Sequence, residues 1–419
     1  MTAEWVDVIA GAEVTTAPRG VVVDGHHLVV VRLTEDGPPV AFGGRCPHRL
    51  VPLAAGDVVG GRLRCAYHGW EFGADGSCLE IPSLGPAATA PPRAALAAAR
   101  CREEAGRVRV LAADLAALPA QPAAAAPDGG GPGVLTNEDP ALARAWHPVA
   151  FATELGSAAE PSRVTLLGRE WTVWRDVAEL RADPVPYGLT VRWGLVWLAP
   201  AEPLVPLFTE PDVEDAAFVG AWLRPAATPA PAGFVADNFL DVAHFPFVHA
   251  GTFGAGEEKI VEPYEVVAEP DGFRSTQVQW FDNPEDPGVA AGLRPLRQRR
   301  RATYVYRAPF QLLLRLEELD AGAVKTILFV MRPESLTSTV VYTKMLLRDI
   351  GGVALPGGAV VASEVAYEER VVGEDLALQA QLGLTGLPLV LRDELHVRAD
   401  RLGVALRRAL AAFVESAQR

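Results

Sequence analysis

The chain has 419 residues, 49% of them hydrophobic, and a formal net charge of −14. That length suggests two or three domains at roughly 100–200 residues each, the apolar share supplies ample core, and the acidic balance argues against a nucleic-acid partner, which requires a cationic face. No run approaches the ~18–20 apolar residues of a membrane span; the stretch Val353–Val361 is short and broken by Pro356, Gly357 and Gly358. Glu4 and Asp7 stand where a signal peptide carries basic and then apolar residues, so a cytoplasmic protein without a membrane partner is expected.

Residues 1–118 form the first compositional unit. Short β-like runs such as Val21–Val23 and Leu28–Leu33 are punctuated by Gly and Pro turns. The unit holds all four cysteines, Cys46, Cys65, Cys78 and Cys101. In a long, apparently cytosolic chain these read as metal ligands or inert thiols before they read as disulfides. Cys46-Pro47-His48 is followed, after 16 intervening residues, by Cys65-Ala66-Tyr67-His68-Gly69-Trp70. Two loops with one Cys and one His each suit a 2Fe–2S centre in which two thiolates hold one iron and two imidazoles the other. Zinc also takes two Cys and two His, although zinc fingers pair like with like. Cys78 and Cys101 read as ordinary buried thiols.

Residues 119–140 carry Pro119, Pro122, an alanine run, Gly129–Gly131, Pro132 and Gly133. Such a composition cannot bury a core and is expected to be a linker. Residues 141–204 then repeat the start of the chain weakly. Trp146 follows Trp5, and Glu154 follows Glu13, at an offset of 141; Pro161, Gly168 and Arg175 follow Pro18, Gly25 and Arg32 at an offset of 143. A further β-like run covers Thr190–Leu198, and the segment has no cysteine. It reads as a clusterless relic of the first domain, with chance similarity between two β-rich segments as the alternative.

The third unit, residues 205–419, is expected to open with a helix near 234–249. Long strands follow around Thr303–Tyr306, Gln311–Glu317, Val324–Met331 and Thr339–Leu347, and helices near 364–381 and 391–417 close the chain. This is an α+β layout of antiparallel sheet with helices. Its first helix carries Asp237-Asn238-Phe239-Leu240-Asp241-Val242-Ala243-His244-Phe245-Pro246-Phe247-Val248-His249. Asp241 and His244 are three apart and expected on one helical face. Pro246 should end or kink the helix, which lets His249 return to the same point. Two imidazoles and a carboxylate bind Fe(II) on one face and leave positions open for O2 and substrate. The third ligand must come from downstream, where Glu364, Glu368, Glu369, Glu374, Asp375 and Asp393 are candidates. Phe234, Phe239, Phe245, Phe247, Trp280 and Phe281 could line an apolar pocket, or be plain core.

With its C-x-H and C-x-x-H signatures at Cys46, His48, Cys65 and His68, the trailing Gly69-Trp70, and the Asn-x-x-Asp-x-x-His-x4-His pattern from Asn238 to His249, the chain resembles the Rieske non-haem iron oxygenases. Respiratory Rieske proteins carry a further disulfide-forming Cys in each loop, whereas Leu50, Val51 and Tyr67 stand nearby here. The resemblance implies an all-β N-terminal Rieske domain holding a 2Fe–2S cluster on those four residues, and a C-terminal helix-grip catalytic domain. It implies His244 and His249 as ligands of a mononuclear iron, Asp241 and Asn238 as catalytic residues, and Asp241 as the carboxylate bridging a cluster His to an iron His. Asp375 is chosen as third ligand because Glu374-Asp375 looks like the start of the family's late helix, of the vanillate O-demethylase and monooxygenase branch.

That branch implies hydroxylation or oxidative demethylation of an apolar, aromatic or polycyclic small molecule with O2. No G-x-G-x-x-G motif follows a strand, and too few cysteines remain for a second cluster, so electrons are expected from an external NAD(P)H reductase, with or without a ferredoxin. In the family's homotrimers the cluster of one subunit feeds the iron of its neighbour. The extra segment here puts that arrangement in doubt and leaves transfer within one chain open. The rival reading is an electron-transfer protein whose ligand-binding domain lacks catalytic iron, and the presence of His244, His249 and Asp375 counts against it.

Overall fold

The computed structural model of the chain describes residues 4–118, 133–177, 179–284 and 286–419. In the first unit, strand Arg107–Leu111 lies between Trp5–Ala10 and Cys101–Glu104. Strands Arg19–Val23, His26–Arg32, Pro39–Gly43 and Ala98–Ala99 form a second sheet, and Asp57–Val59, Arg62–Arg64, Glu71–Phe72 and Cys78–Glu80 a third. The apolar run Leu28–Val31 is buried throughout because both of its faces are covered. Leu28 and Val30 pack with Val108 and Val110, whereas Val29 packs with Cys46, Cys65 and Trp70. Cys78 and Cys101, expected as buried, are half-buried; desolvation raises their thiols to about 12 and about 11.

The segment after the first unit repeats part of this plan. Strand Leu195–Ala199 lies between His147–Phe151 and Gly188–Arg192, and Ser162–Leu166, Arg169–Asp176 and Glu179–Asp183 form a second sheet. Arg19–Val23 pairs with the next strand from Arg19↔Val30 to Val23↔His26, and Ser162–Leu166 pairs from Ser162↔Val173 to Leu166↔Arg169, the same register displaced by 143 residues. Each hairpin closes on two residues with positive φ, Asp24 (48°) and Gly25 (80°) in one, Leu167 (53°) and Gly168 (72°) in the other, as two-residue hairpins demand. The first strand of each unit is bulged at the corresponding place, between Asp7 and Ile9 and between Pro148 and Ala150. Pro184–Tyr187 stand where the first unit carries residues 44–100. The run Thr190–Leu198 is two strands turning at Trp193 and Gly194.

The expected linker 119–140 is shorter than its composition suggests. Residues 119–132 lie outside the described residues. Val134–Thr136, in contrast, pairs with Gly386–Pro388, and the Asn137 side chain donates to Ser335 O, Ser338 O and Thr339 Oγ1 while accepting from Ala232 N. Residues 133–140 therefore belong to the third unit.

That unit is built on an eight-stranded antiparallel sheet running, edge to edge, Val219–Trp222, Ser338–Arg348, Val324–Ser335, Gln311–Glu318, Arg297–Arg307, Gly272–Asp282 and Val267–Glu269, with Ala226–Thr228 paired to Ser338–Arg348. Three helices cover it: Ala232–Leu240, Gly358–Gln379 and Arg401–Ala417. Leu402, Leu406, Leu410 and Phe413 form the buried stripe of the last, the spacing of an amphipathic helix facing a core. The single helix expected near 234–249 is two, Ala232–Leu240 and Phe245–Val248. Pro246 sits in the first turn of the second, where a missing N–H costs nothing, so it starts a helix rather than ending one. No helix among the described residues is long and apolar enough to cross a membrane.

Behind the first helix, Arg407 is fully buried and donates to both oxygens of Asp237 (2.7 and 2.9 Å) and to Glu394 Oε2 (2.6 Å). Truncating one member of a buried charge network leaves the others uncompensated, at about 3–5 kcal/mol. Arg407→Met should lower the unfolding free energy by that amount in denaturant titration. A loss under about 1 kcal/mol would mean the carboxylates are protonated or hydrated instead.

Candidate active site

The two Cys–His loops are built alike. Leu50 N donates to Cys46 O and Gly69 N to Cys65 O, and the residue closing each loop has positive φ, 57° at Leu50 and 65° at Gly69. Each turn points a thiol and an imidazole the same way. Cys46, His48, Cys65 and His68 are all buried, and Trp70 stacks on His48 at 4.5 Å between ring centroids. Burial raises the Cys46 thiol, while its hydrogen bond to Cys65 lowers that of Cys65. Burial also drives His48 down to about 4, so its ring is neutral near pH 7.

The orientation of the two imidazoles tests whether a cluster fits. Their Nδ1 atoms face each other at 3.1 Å. Their Nε2 atoms are each taken by a carboxylate: His48 Nε2 lies 3.0 Å from both oxygens of Asp400, and His68 Nε2 lies 3.1 Å from Asp241 Oδ2. A carboxylate partner places the proton on Nε2 and leaves the Nδ1 lone pair free. Two thiols and two such lone pairs converging in a buried space are the donor set of a Rieske cluster.

The second set of donors forms where the first helix ends. Asp241 is at its C-terminus with extended backbone, not on a helical face with His244 as expected. The two meet because Asp241 Oδ1 accepts from the backbone N–H groups of Ala243 and His244, a tight Asx-type turn that also sets it 3.3 Å from His244 Nδ1. His244 Nε2 and His249 Nε2 lie 3.2 Å apart, and Asp375 Oδ1 is 3.4 and 3.2 Å from them. The ligand atoms of these three residues fall within 4.8 Å of one another. Asp375 Oδ1 is buried without a hydrogen bond of good geometry, as expected of an atom that faces a metal. Burial opposes its charge, yet the two imidazoles hold its carboxyl well below the ordinary range. Burial likewise opposes the imidazolium of His244, but Asp241 and Asp375 raise it to about 9. Two imidazoles and one carboxylate suit ferrous iron and leave coordination positions free.

The other carboxylates considered for this position are engaged elsewhere or set apart. Glu374 holds His249 Nδ1 at 2.8 Å and accepts from Thr252 Oγ1, Glu364 pairs with Lys325, Glu369 pairs with Arg224, Glu368 lines the cavity described below, and Asp393 ends a short turn before the last helix. Asn238 does not reach the three donors. Its Oδ1 accepts from Tyr67 Oη (2.7 Å) and Gln379 Nε2 (3.0 Å), which ties the first unit to the third. Asp241 joins the two donor sets, Oδ2 toward His68 and Oδ1 toward His244. Burial pushes its carboxyl up, but His68 and His244 together hold it well below the ordinary range.

Sequence reasoning missed Asp400, the counterpart of Asp241 on His48, and the ion network of Arg49, Asp237, Glu394 and Arg407. Asp400 stands 352 positions from His48. Its only local signal is an acidic residue at the start of a helix, which reads equally as a cap. A cavity of about 620 Å³ opens onto His244, His249 and Asp375. Of the six aromatics considered for it, Phe239, Phe245 and Phe281 line it, and Phe253 joins them. Phe234 is core, Trp280 is 49% exposed, and Phe247 packs against Gly69.

The arrangement sets a donor set suited to a 2Fe–2S cluster beside a second one suited to a mononuclear metal, with Asp241 in contact with both. The Rieske [2Fe-2S] domain family matches residues 4–91, and the vanillate O-demethylase oxygenase C-terminal domain family matches 228–416. The chain belongs to the Rieske non-haem iron oxygenases, whose cofactors are the 2Fe–2S cluster and a mononuclear iron. It is 40% identical over 95 residues to protein TIC 55 of Arabidopsis thaliana, covering 22% of this chain and 17% of that one. It is 28% identical over 284 residues to the probable methylxanthine N7-demethylase NdmC of Pseudomonas sp. (strain TJI-51), covering 63% of this chain and 92% of that one. Among solved structures, dicamba monooxygenase bound to dicamba aligns over 100% of this chain and 98% of its own, at 14% identity and a TM-score of 0.42. The chain spans under a fifth of the length of the first curated relatives it matches.

Asp375→Ala should lower iron from about three to about two atoms per chain while acid-labile sulfide stays at about two and the reduced-cluster EPR signal is unchanged. Retention of all three irons would remove Asp375 from the ligand set.

Proposed function

We propose that the protein activates O2 at an iron held by His244, His249 and Asp375 and inserts oxygen into an apolar, ring-bearing small molecule, by hydroxylation or oxidative demethylation. The observation that carries this is the convergence of those three donors at one end of the cavity, with Asp241 linking them to His68. When bound, the cluster supplies single electrons and the iron a site for O2. Demethylation of a methoxy group balances as one oxygen atom entering the methyl C–H bond and the other leaving as water. Two electrons come from NAD(P)H through an external reductase, one proton from NAD(P)H and one from solvent, and the hemiacetal then breaks to the hydroxyl compound and formaldehyde.

The chain's own residues orient and exclude. Phe239, Phe245, Leu314 and Ile327 give the cavity apolar walls near the donors, which favours a ring and keeps water out. Asp241 and Glu374 hold the outer nitrogens of the two imidazoles and so fix their inner faces. The cavity also has a polar side. Arg300 is buried and paired with Glu257 at 2.8 Å, and its Nε has no hydrogen-bond partner. A guanidinium in the cavity wall suits an oxygen of the substrate, so the substrate is read as apolar at the reacting end with a polar group at the other. The electron-transfer reading without catalytic iron is disfavoured by the complete donor set.

The direct test is turnover of methoxybenzoates such as vanillate, with NADH and a Rieske-oxygenase reductase, reading formaldehyde and the demethylated acid. Reduction of the cluster with about two irons per chain and no product from any methoxy- or methyl-arene would move the reading to electron transfer alone. Arg300→Met should raise KM about tenfold with kcat little changed, the loss of one charge-assisted hydrogen bond made equally in ground and transition states. An unchanged KM would place the polar group of the substrate elsewhere.

A further inference from the structure

Both ends of the link between the two donor sets belong to one chain. His68 Nε2, in the first unit, lies 3.1 Å from Asp241 Oδ2 in the third, and Asp241 Oδ1 lies 3.3 Å from His244 Nδ1. The face that carries the Cys–His loops is docked by several independent devices. Asp400 takes His48, Arg49 pairs with Asp237 and Asp400 (3.3 and 3.5 Å), Arg45 Nη1 donates to Leu382 O (2.7 Å), and Tyr67 donates to Asn238. Gly69 permits a close approach, since a Cβ there would run into the Phe247 ring. The apolar residues of the two units merge, with Val51, Tyr67 and Trp70 in one core with Leu240, Leu402 and Leu406. The ion pairs at this seam have side chains under a tenth exposed.

The second, loop-less β unit accounts for a different surface. It sits on the large sheet: Leu167 N donates to Pro333 O (2.9 Å), Gly168 N to Glu334 O (2.6 Å), and Arg332 Nη1 to Val149 O (2.6 Å). One chain thus contains two copies of the same β scaffold. One holds the sheet, and the other presents the metal-binding loops to the iron donors.

We infer that electron delivery in this protein is intramolecular: one electron leaves the reduced cluster of the N-terminal domain and enters the iron centre of the same chain, by way of His68, Asp241 and His244, with no subunit boundary to cross. Because the two units are parts of one polypeptide, docking is a unimolecular event and does not depend on meeting a separate copy of the chain. The loop-less unit is read as a relic that keeps the seat on the catalytic sheet, which frees the cluster-bearing copy to face its own iron.

This rests on the function proposed above, and the test separates the two. Nitric oxide, a paramagnetic probe of ferrous iron, should speed the relaxation of the reduced-cluster EPR signal when the two centres are neighbours. In the holoenzyme, weighed by light scattering, the enhancement is expected in a species of one-chain mass and should persist on dilution. Cys65→Ala (iron site only) and His249→Ala (cluster only) chains, co-expressed with different tags, should either fail to co-purify or co-purify without enhancement. Enhancement in the co-purified pair, or its absence in a single-chain wild-type species, would overturn the inference. A wild-type protein with the cluster signal but no nitrosyl signal would instead fail the iron reading itself. The wild-type measurement stands even where the Cys65→Ala domain does not fold.

Discussion

The charge on Asp241 is the constraint around which the molecule is arranged. Its side chain is 9% exposed, so desolvation works against the carboxylate. Only dense local compensation keeps it ionised, from two imidazoles and two backbone N–H groups. One of those imidazoles comes from the cluster-binding domain. Undocking would therefore strip a buried carboxylate of a partner, so the contacts that hold the domain interface also hold His68, Asp241 and His244 in one chain of contacts. The second carboxylate at the seam, Asp400, repeats the arrangement on His48 and is likewise held well below the ordinary carboxylate range.

Around these two carboxylates lies a buried lattice of alternating charge formed by Arg49, Asp237, Arg407 and Glu394. Such a lattice contributes little net stability compared with an apolar core of similar volume. It does impose register: a docking pose shifted by one residue would leave several charges without partners. The interface is thus specified by the cost of its alternatives, which suits a path whose efficiency depends on sub-ångström placement.

The internal likeness of the first two β units carries the same lesson about economy of contact. Strand registers, the two-residue hairpins with positive φ, and the bulge in the first strand recur, while the Cys–His loops do not. A β scaffold tolerates this because its core lies between the strands (Val149, Leu166, Trp171 and Val173 in the second unit), and the loop-bearing sheet of the first unit is an addition to it.

The sequence alone determined what depends on short spacing. The Cys–His pairs, the Asp241–His244–His249 run, the alternating strands of the large sheet and the hairpin pattern of both β units are local, and a few residues set their geometry. It determined less where a local rule has two outcomes. Pro246 can end a helix or begin one, and Asp241 can reach His244 along a helical face or through an Asx turn; the backbone at the end of Ala232–Leu240 decided both. Composition marked 133–140 as linker, but Asn137 finds four partners only in the folded third unit. Asp375 could be singled out from its neighbours only by resemblance, and its place beside His244 and His249 comes from the packing of helix Gly358–Gln379. Asp400, the charge lattice, the mixed polarity of the cavity and the meeting of both donor sets within one chain were decided by tertiary structure alone. Most of them rest on contacts between segments more than a hundred residues apart, and no periodicity or spacing in the chain records which buried charges will face each other.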